Sequence, residues 1–124
     1  MSNIPTYTVR GALEPFVELM VGKFFPNGAS AVDNTKNVGR GFTVTRTGVG
    51  VLLVTLEDGW PALLAAIAGA ELAAAADVTV HVGAVNMTAK TFEVRTFSAG
   101  AAVDIAANSG NMIHLVLALQ NGVV

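Results

Sequence analysis

Short runs in which apolar and polar residues alternate restrict the fold of this chain more than any other feature. In FTVTRT, Phe42 and Val44 alternate with threonines, and in TFEVRT, Phe92 and Val94 alternate with polar residues. A period of two with β-branched residues indicates strands that bury one face. Gly- and Asn-rich breaks (SAG, NSGN and QNG) separate such runs at the spacing typical of sandwiches and barrels. The sequence therefore predicts an all-β fold.

The last predicted strand, NMIHLVLALQ, differs because it is apolar on both faces. One face carries Ile113, Leu115, Leu117 and Leu119. A strand that is covered on both sides belongs in the middle of a sheet or at a subunit interface. We therefore predict an oligomer interface on its second face, formed by Met112, His114, Val116 and Ala118.

The run GWPALLAAIAGAELAAAAD, residues 59–77, has three interpretations. Residues 60–76 are too few and too rich in Ala and Gly for a membrane span, which needs about 20 predominantly apolar residues. In a helix, Leu64, Ile67 and Glu71 would share one stripe, with the only charge on the most apolar face. A strand would instead present small residues on both faces. Intrinsic propensity slightly favours the helix, whereas the surrounding β pattern favours the strand.

Residues 1–40 are predicted to form an N-terminal arm and connector, and residues 41–124 the β domain. The segment ALEPFVELMVGKFFPNG carries apolar residues at helical spacing, with a proline that suits a first helical turn. It is either a short helix that caps the β domain or an apolar arm that docks on a partner shell. The candidate docking residues are Leu13, Pro15, Phe16, Met20, Phe24 and Phe25.

The composition favours self-association. Charged residues make up 13 % of the chain, against roughly 25 % in ordinary soluble domains. With 52 % hydrophobic residues, burial of a second surface against other subunits is expected. A net charge of −2 gives no basic patch for nucleic acid, and the absence of cysteine excludes disulfides and thiolate metal sites.

A search for catalytic patterns finds none. His81 and His114 lie in none of the short-spaced ligand motifs, and no serine stands in a Gly-x-Ser-x-Gly elbow. We therefore predict that the protein is not an enzyme and has no catalytic residue, cofactor or metal.

Three segments carry a family resemblance: GFTVTRTGVGVLLVTLEDGWPALLA, DVTVHVGAVNMTAKTFEVRTF and VDIAANSGNMIHLVLALQNG. Together they cover roughly residues 41–121 and resemble small virion accessory proteins of tailed bacteriophages. The resemblance implies an antiparallel β-sandwich, loosely similar to C1q-like jelly rolls and often trimeric. It also implies that the PALLAAIAGAELA region is a strand, and we predict a strand there.

The resemblance implies a capsid decoration (cement) protein or head fibre on the virion surface. We expect it to stabilise the capsid by bridging subunits of the major capsid protein through the N-terminal arm, as a homo-oligomer, with a trimer favoured. On this model, deletion of residues 1–25 removes shell binding and leaves the β domain folded. The alternative is a carbohydrate-binding or receptor-binding head fibre, in which Trp60 and Tyr7 would stack on sugar rings.

Overall fold

Two antiparallel sheets pack against each other in the computed structural model, which describes residues 17–120. The predicted antiparallel β-sandwich is confirmed. The strand order is β1-β8-β4 in the three-stranded sheet and β2-β3-β6-β5 in the five-stranded sheet, where the short β7 also pairs with β6. The strands are β1 (Val17–Phe24), β2 (Phe42–Gly48), β3 (Val51–Leu56), β4 (Ala62–Glu71), β5 (Thr79–Asn86), β6 (Thr91–Ser98), β7 (Ala101–Ala102) and β8 (Met112–Gln120).

The chain crosses repeatedly between the sheets. The pairs β2–β3 and β5–β6 are hairpins within the five-stranded sheet. Residues 57–61 lead across to β4, residues 72–78 lead back to β5, and residues 103–111 lead to β8. A short 3-10 helix, Asn34–Lys36, lies in the connection between β1 and β2. As a result, β8 completes the three-stranded sheet by inserting between β1 and β4.

The core lies between the sheets and follows the alternation in the sequence. The inward side chains predicted for β6 and β8 are all buried, which confirms those face assignments. The most deeply buried residues from the two sheets are Phe24, Val44, Val54, Leu56, Phe92, Val94, Ile113, Leu115, Leu117 and Leu119. A continuous apolar layer of this kind supplies the main driving force for folding.

The alanine-rich run forms a strand, which confirms that prediction for Ala62–Glu71. It pairs along its length with β8, with a register shift between Leu63 and Ala65. Beyond the shift, Ala66, Ala68 and other small residues of β4 pack against the core. Tertiary pairing therefore overrides the helix propensity of alanine.

Residues 17–24 form strand β1, so the helical interpretation of this segment is wrong. The strand pairs with β8 from Val17↔Gln120 to Phe24↔Ile113. A Cβ at Gly22 would lie 2.6 Å from the ring of Phe42, so this position requires the close approach that glycine allows. Of the predicted arm and connector, residues 17–24 are therefore part of the sandwich.

An ion pair ties the end of the β2–β3 hairpin to the connection before β8. Arg46 donates two hydrogen bonds to Asp104, from Nε at 3.0 Å and from an Nη atom at 2.8 Å. The backbone N–H of Gly50 donates a third to Asp104, at 3.0 Å. The hydrogen bonds from Arg46, and then that from Gly50, lower the pKa of Asp104 below its usual range. This end of the sandwich is thereby fixed by a bidentate charged contact.

Candidate functional site

The outer faces of the two sheets differ in chemistry. The five-stranded sheet directs threonines outward from β2, and it carries an ion pair between Arg95 and Glu93 on β6, at 2.6 Å. His81 is also exposed there and packs edge-on against Phe97, with ring centroids 5.5 Å apart. These predominantly polar groups are typical of a sheet face that is exposed to solvent.

The three-stranded sheet has a predominantly apolar outer face. Two rows of residues, aligned across the three strands by their pairing, form its centre. We call these six residues the apolar face: Leu19, Ala118 and Ala65 in one row, and Val21, Val116 and Ile67 in the next.

Large side chains on the apolar face are exposed to solvent. The exposed fraction is 65 % for Leu19 and Val21, 68 % for Ile67 and 38 % for Val116. Leu64, at the register shift of β4, is 51 % exposed beside them. The whole outer face of three strands, about 4.8 Å apart and about eight residues long, covers roughly 400 Å², and the two rows of the apolar face make up about half of it. Exposed apolar side chains that are grouped in this way are often part of an interaction site.

Charged and polar groups close one end of the apolar face. Lys23 is aligned with His114 and Gly69 in the next row across the sheet. The His114 Nε2 atom lies 2.7 Å from Glu71 Oε1, and both side chains are about half exposed. Apolar residues surrounded by such groups on one side resemble the core and rim of a protein interface.

All four predicted interface residues lie on the outward side of β8 by their register: Met112, His114, Val116 and Ala118. Met112, at the beginning of the strand, is only 9 % exposed in the single chain, whereas the other three are more exposed. Sequence reasoning missed the contributions of β1 and β4 to this surface. The sequences of β1 and β4 did contain a signal, because apolar residues follow one another there without alternating with polar ones. Such runs are typical of strands with two apolar faces.

The predicted docking residues fall into three groups. Phe24 has 0 % exposure and Met20 packs against the core, so neither offers its side chain to a shell. Phe25 is partly exposed and lines a cleft. Leu13, Pro15 and Phe16 lie outside the described residues, and their docking role stays a prediction.

The cleft beside Phe25 has a volume of about 630 Å³. It is mixed in chemistry, because Pro26 and Val38 line it together with Lys36 and Asn108. Asp33 also lines it, but its carboxylate accepts hydrogen bonds from the side chain and the backbone of Thr35. These bonds lower the pKa of Asp33 and hold it as the cap of the 3-10 helix. The cleft therefore presents no converging set of free polar groups.

Trp60, the residue proposed to stack on sugars, is partly buried, and its stacking role stays a prediction. Its side chain packs against the core, and its indole Nε1 is buried without a hydrogen-bond partner. Tyr7 lies outside the described residues. The two histidines lie on different sheets, and within residues 17–120 no group of three potential ligands gathers for a metal ion.

In the described part of the chain, no helix has the length and apolar character needed to cross a membrane. Comparisons with protein-family models, with curated proteins and with solved structures found no match.

Proposed function

We propose that this protein is a structural component of a bacteriophage virion, which decorates the capsid and stabilises it by bridging capsid subunits. The observation that carries the proposal is the apolar face, because four of its large side chains are exposed together, and the largest apolar patch on a protein surface is often a functional one. The low charge content and the resemblance of residues 41–121 to virion accessory proteins support the same role.

The proposed mechanism is thermodynamic linkage. A protein that binds only the intact capsid lattice stabilises that lattice by a free energy that rises with the logarithm of its concentration relative to its dissociation constant. The sandwich supplies the rigid body, and the apolar face supplies area that becomes buried on assembly. Residues 1–16 are the candidate contact with the major capsid protein.

Binding to empty capsids of the phage that encodes the chain tests this function. We expect the protein to sediment with the capsids and to raise the temperature at which they open. Ile67→Glu places a charge on the apolar face, in place of its most exposed large side chain, and should remove both effects. Thr45→Glu, on the outer face of the five-stranded sheet, is the matched control. If the unmodified protein neither binds the capsids nor stabilises them, the proposal is wrong.

A further inference from the structure

We propose that the occupant of the apolar face is a second copy of this chain, packed with its strands parallel, so that β1 of one copy lies against β4 of the next. This inference rests on the proposed role of the apolar face as a protein-binding surface. It adds the partner, the relative orientation and the residues that meet.

The register of the sheet fixes which residues would meet. A twofold rotation about an axis that is parallel to β8 and lies between the two facing copies places β1 of one copy over β4 of the other. Each row of residues in one copy then lies over the same row of the other. Leu19 of one copy then lies opposite Ala65 of the other, and Val21 lies opposite Ile67. The bulky Leu19 thus meets a residue that leaves space for it, as interdigitating sheets require.

The charges at the end of the face favour this orientation. Lys23 lies on one edge strand, and Glu71 lies near the same end of the other. Within one chain β8 separates them, so their strands are about 10 Å apart, and no ion pair among the described residues includes Lys23. In the parallel arrangement Lys23 faces Gly69, which has no side chain, beside Glu71 of the neighbour. If the strands of the two copies instead ran in opposite directions, Lys23 and Glu71 would both lie over the other end of the partner's sheet, where Val17 begins β1.

The area agrees with self-association of this kind. A standard interface buries roughly 800 Å² of accessible surface on each partner. The whole outer face of the three-stranded sheet, which includes the apolar face, covers about half of that as a flat projection. Its side chains stand above that projection, and Leu64, Lys23 and Glu71 extend the contact around it. An apolar centre with charged groups at its margin is the usual anatomy of such a surface.

Chemical cross-linking tests the orientation, since the chain has no cysteine of its own. Two variants, Val21→Cys and Ile67→Cys, are treated with a short bismaleimide, first separately and then as a mixture. We expect linked dimers mainly in the mixture, because residue 21 of one copy faces residue 67 of the other. A matched pair on the five-stranded sheet, Thr45→Cys with Glu93→Cys, should stay unlinked.

Charge reversal gives a second measurement. Lys23→Glu and Glu71→Lys should each raise the dissociation constant of the oligomer roughly three- to tenfold by placing like charges together. The double variant should recover most of the affinity, because the two exchanged side chains again carry opposite charges across the interface. Light scattering at stepwise dilution provides the constants.

The outcomes separate this inference from the proposed function. Efficient linking of each variant with itself would overturn the parallel arrangement. A monomer at all concentrations, with capsid binding still lost in Ile67→Glu, would assign the apolar face to the capsid and overturn self-association alone. Linking in the mixture without capsid binding would support the inference and contradict the proposed function.

Discussion

At the scale of single residues, Asp104 joins segments distant in sequence by accepting three hydrogen bonds. It accepts from Arg46, which is 58 positions away, and from the backbone of Gly50. The side chains of Asp104 and Arg46 are each 19 % exposed, so solvent screens the pair only partly. A contact across that separation leaves no periodic signal in the sequence, which is why it could not be predicted.

We expect Asp104→Asn to lower the free energy of unfolding more than Glu93→Gln does, because Arg95, the partner of Glu93, is 50 % exposed, whereas Asp104 also accepts a backbone hydrogen bond. Urea denaturation of both variants at pH 7 measures the difference. Equal effects would show that the pair at the hairpin end contributes no more than a surface ion pair.

The same residue predicts a pH dependence. The pKa of Asp104 is lower in the folded chain than in the unfolded chain, so its stabilisation is complete above the ordinary carboxyl pKa of about 3.9. It is lost as the pH falls through the lowered folded value. Stability should therefore decrease below about pH 4, and Asp104→Asn should reduce that slope. Part of the slope should remain in this variant, because the pKa of Asp33 is also lowered in the folded chain. An unchanged slope in denaturation at pH 2–6 would contradict this assignment.

Gly50 is the residue for which the backbone allows least change. Its φ is +65°, and a Cβ there would lie 2.6 Å from the carbonyl oxygen of Thr96. We expect Gly50→Ala to cost roughly 2 kcal/mol or more. Gly48→Ala, in the same hairpin with nothing within 4 Å of the added Cβ, should change stability by less than about 0.5 kcal/mol. Thermal denaturation compares them.

At the scale of elements, the sequence predicts strands well where one face is polar. The strands β2 and β6 alternate, and both their existence and their buried faces are confirmed. The segment VELMVGKF of β1 is apolar on both faces, so its apolar residues fit a helical stripe equally well. Only the pairing of this segment with β8 decides between a helix and a strand. Because β8 lies at the other end of the described chain, the local sequence does not reveal that pairing.

We expect strand β4 to tolerate larger side chains on its outer face but not on the face that packs against the core. Ala68 packs against the core, whereas Ala65 points outward on the same strand. Ala68→Leu should cost roughly 1–3 kcal/mol through overpacking. Ala65→Leu should stay within about 0.5 kcal/mol when unfolding is measured on dilute protein. Similar losses for both would contradict the assignment of the two faces.

The edge strand β1 changes the design of a truncation experiment. Deletion of residues 1–25 removes β1 and the core side chain of Phe24, so we expect that fragment not to fold. Deletion of residues 1–16 keeps every described strand and should leave cooperative unfolding intact. It is therefore the variant that tests the predicted arm, with circular dichroism as the check on folding. A cooperative, native-like fragment lacking 1–25 would show that β1 is dispensable.

At the scale of the whole molecule, stability should depend on protein concentration. If assembly buries the apolar face, the melting temperature should rise by a few degrees for a hundredfold increase in concentration. Ile67→Glu should remove this dependence, and Thr45→Glu should retain it. Scanning calorimetry at several concentrations measures both. A melting temperature independent of concentration in the unmodified protein would contradict assembly through this face.

The position of β8 has a consequence for biosynthesis. The four main strands of the five-stranded sheet lie within residues 42–98 and pair largely through hairpins, so they can associate while the chain is still being made. Strands β1 and β4 both pair with β8, which is translated after them. Until it emerges from the ribosome, two apolar strands have no partner in their sheet. The nascent chain therefore carries its greatest aggregation hazard just before the last strand emerges, and completion of β8 ends that interval.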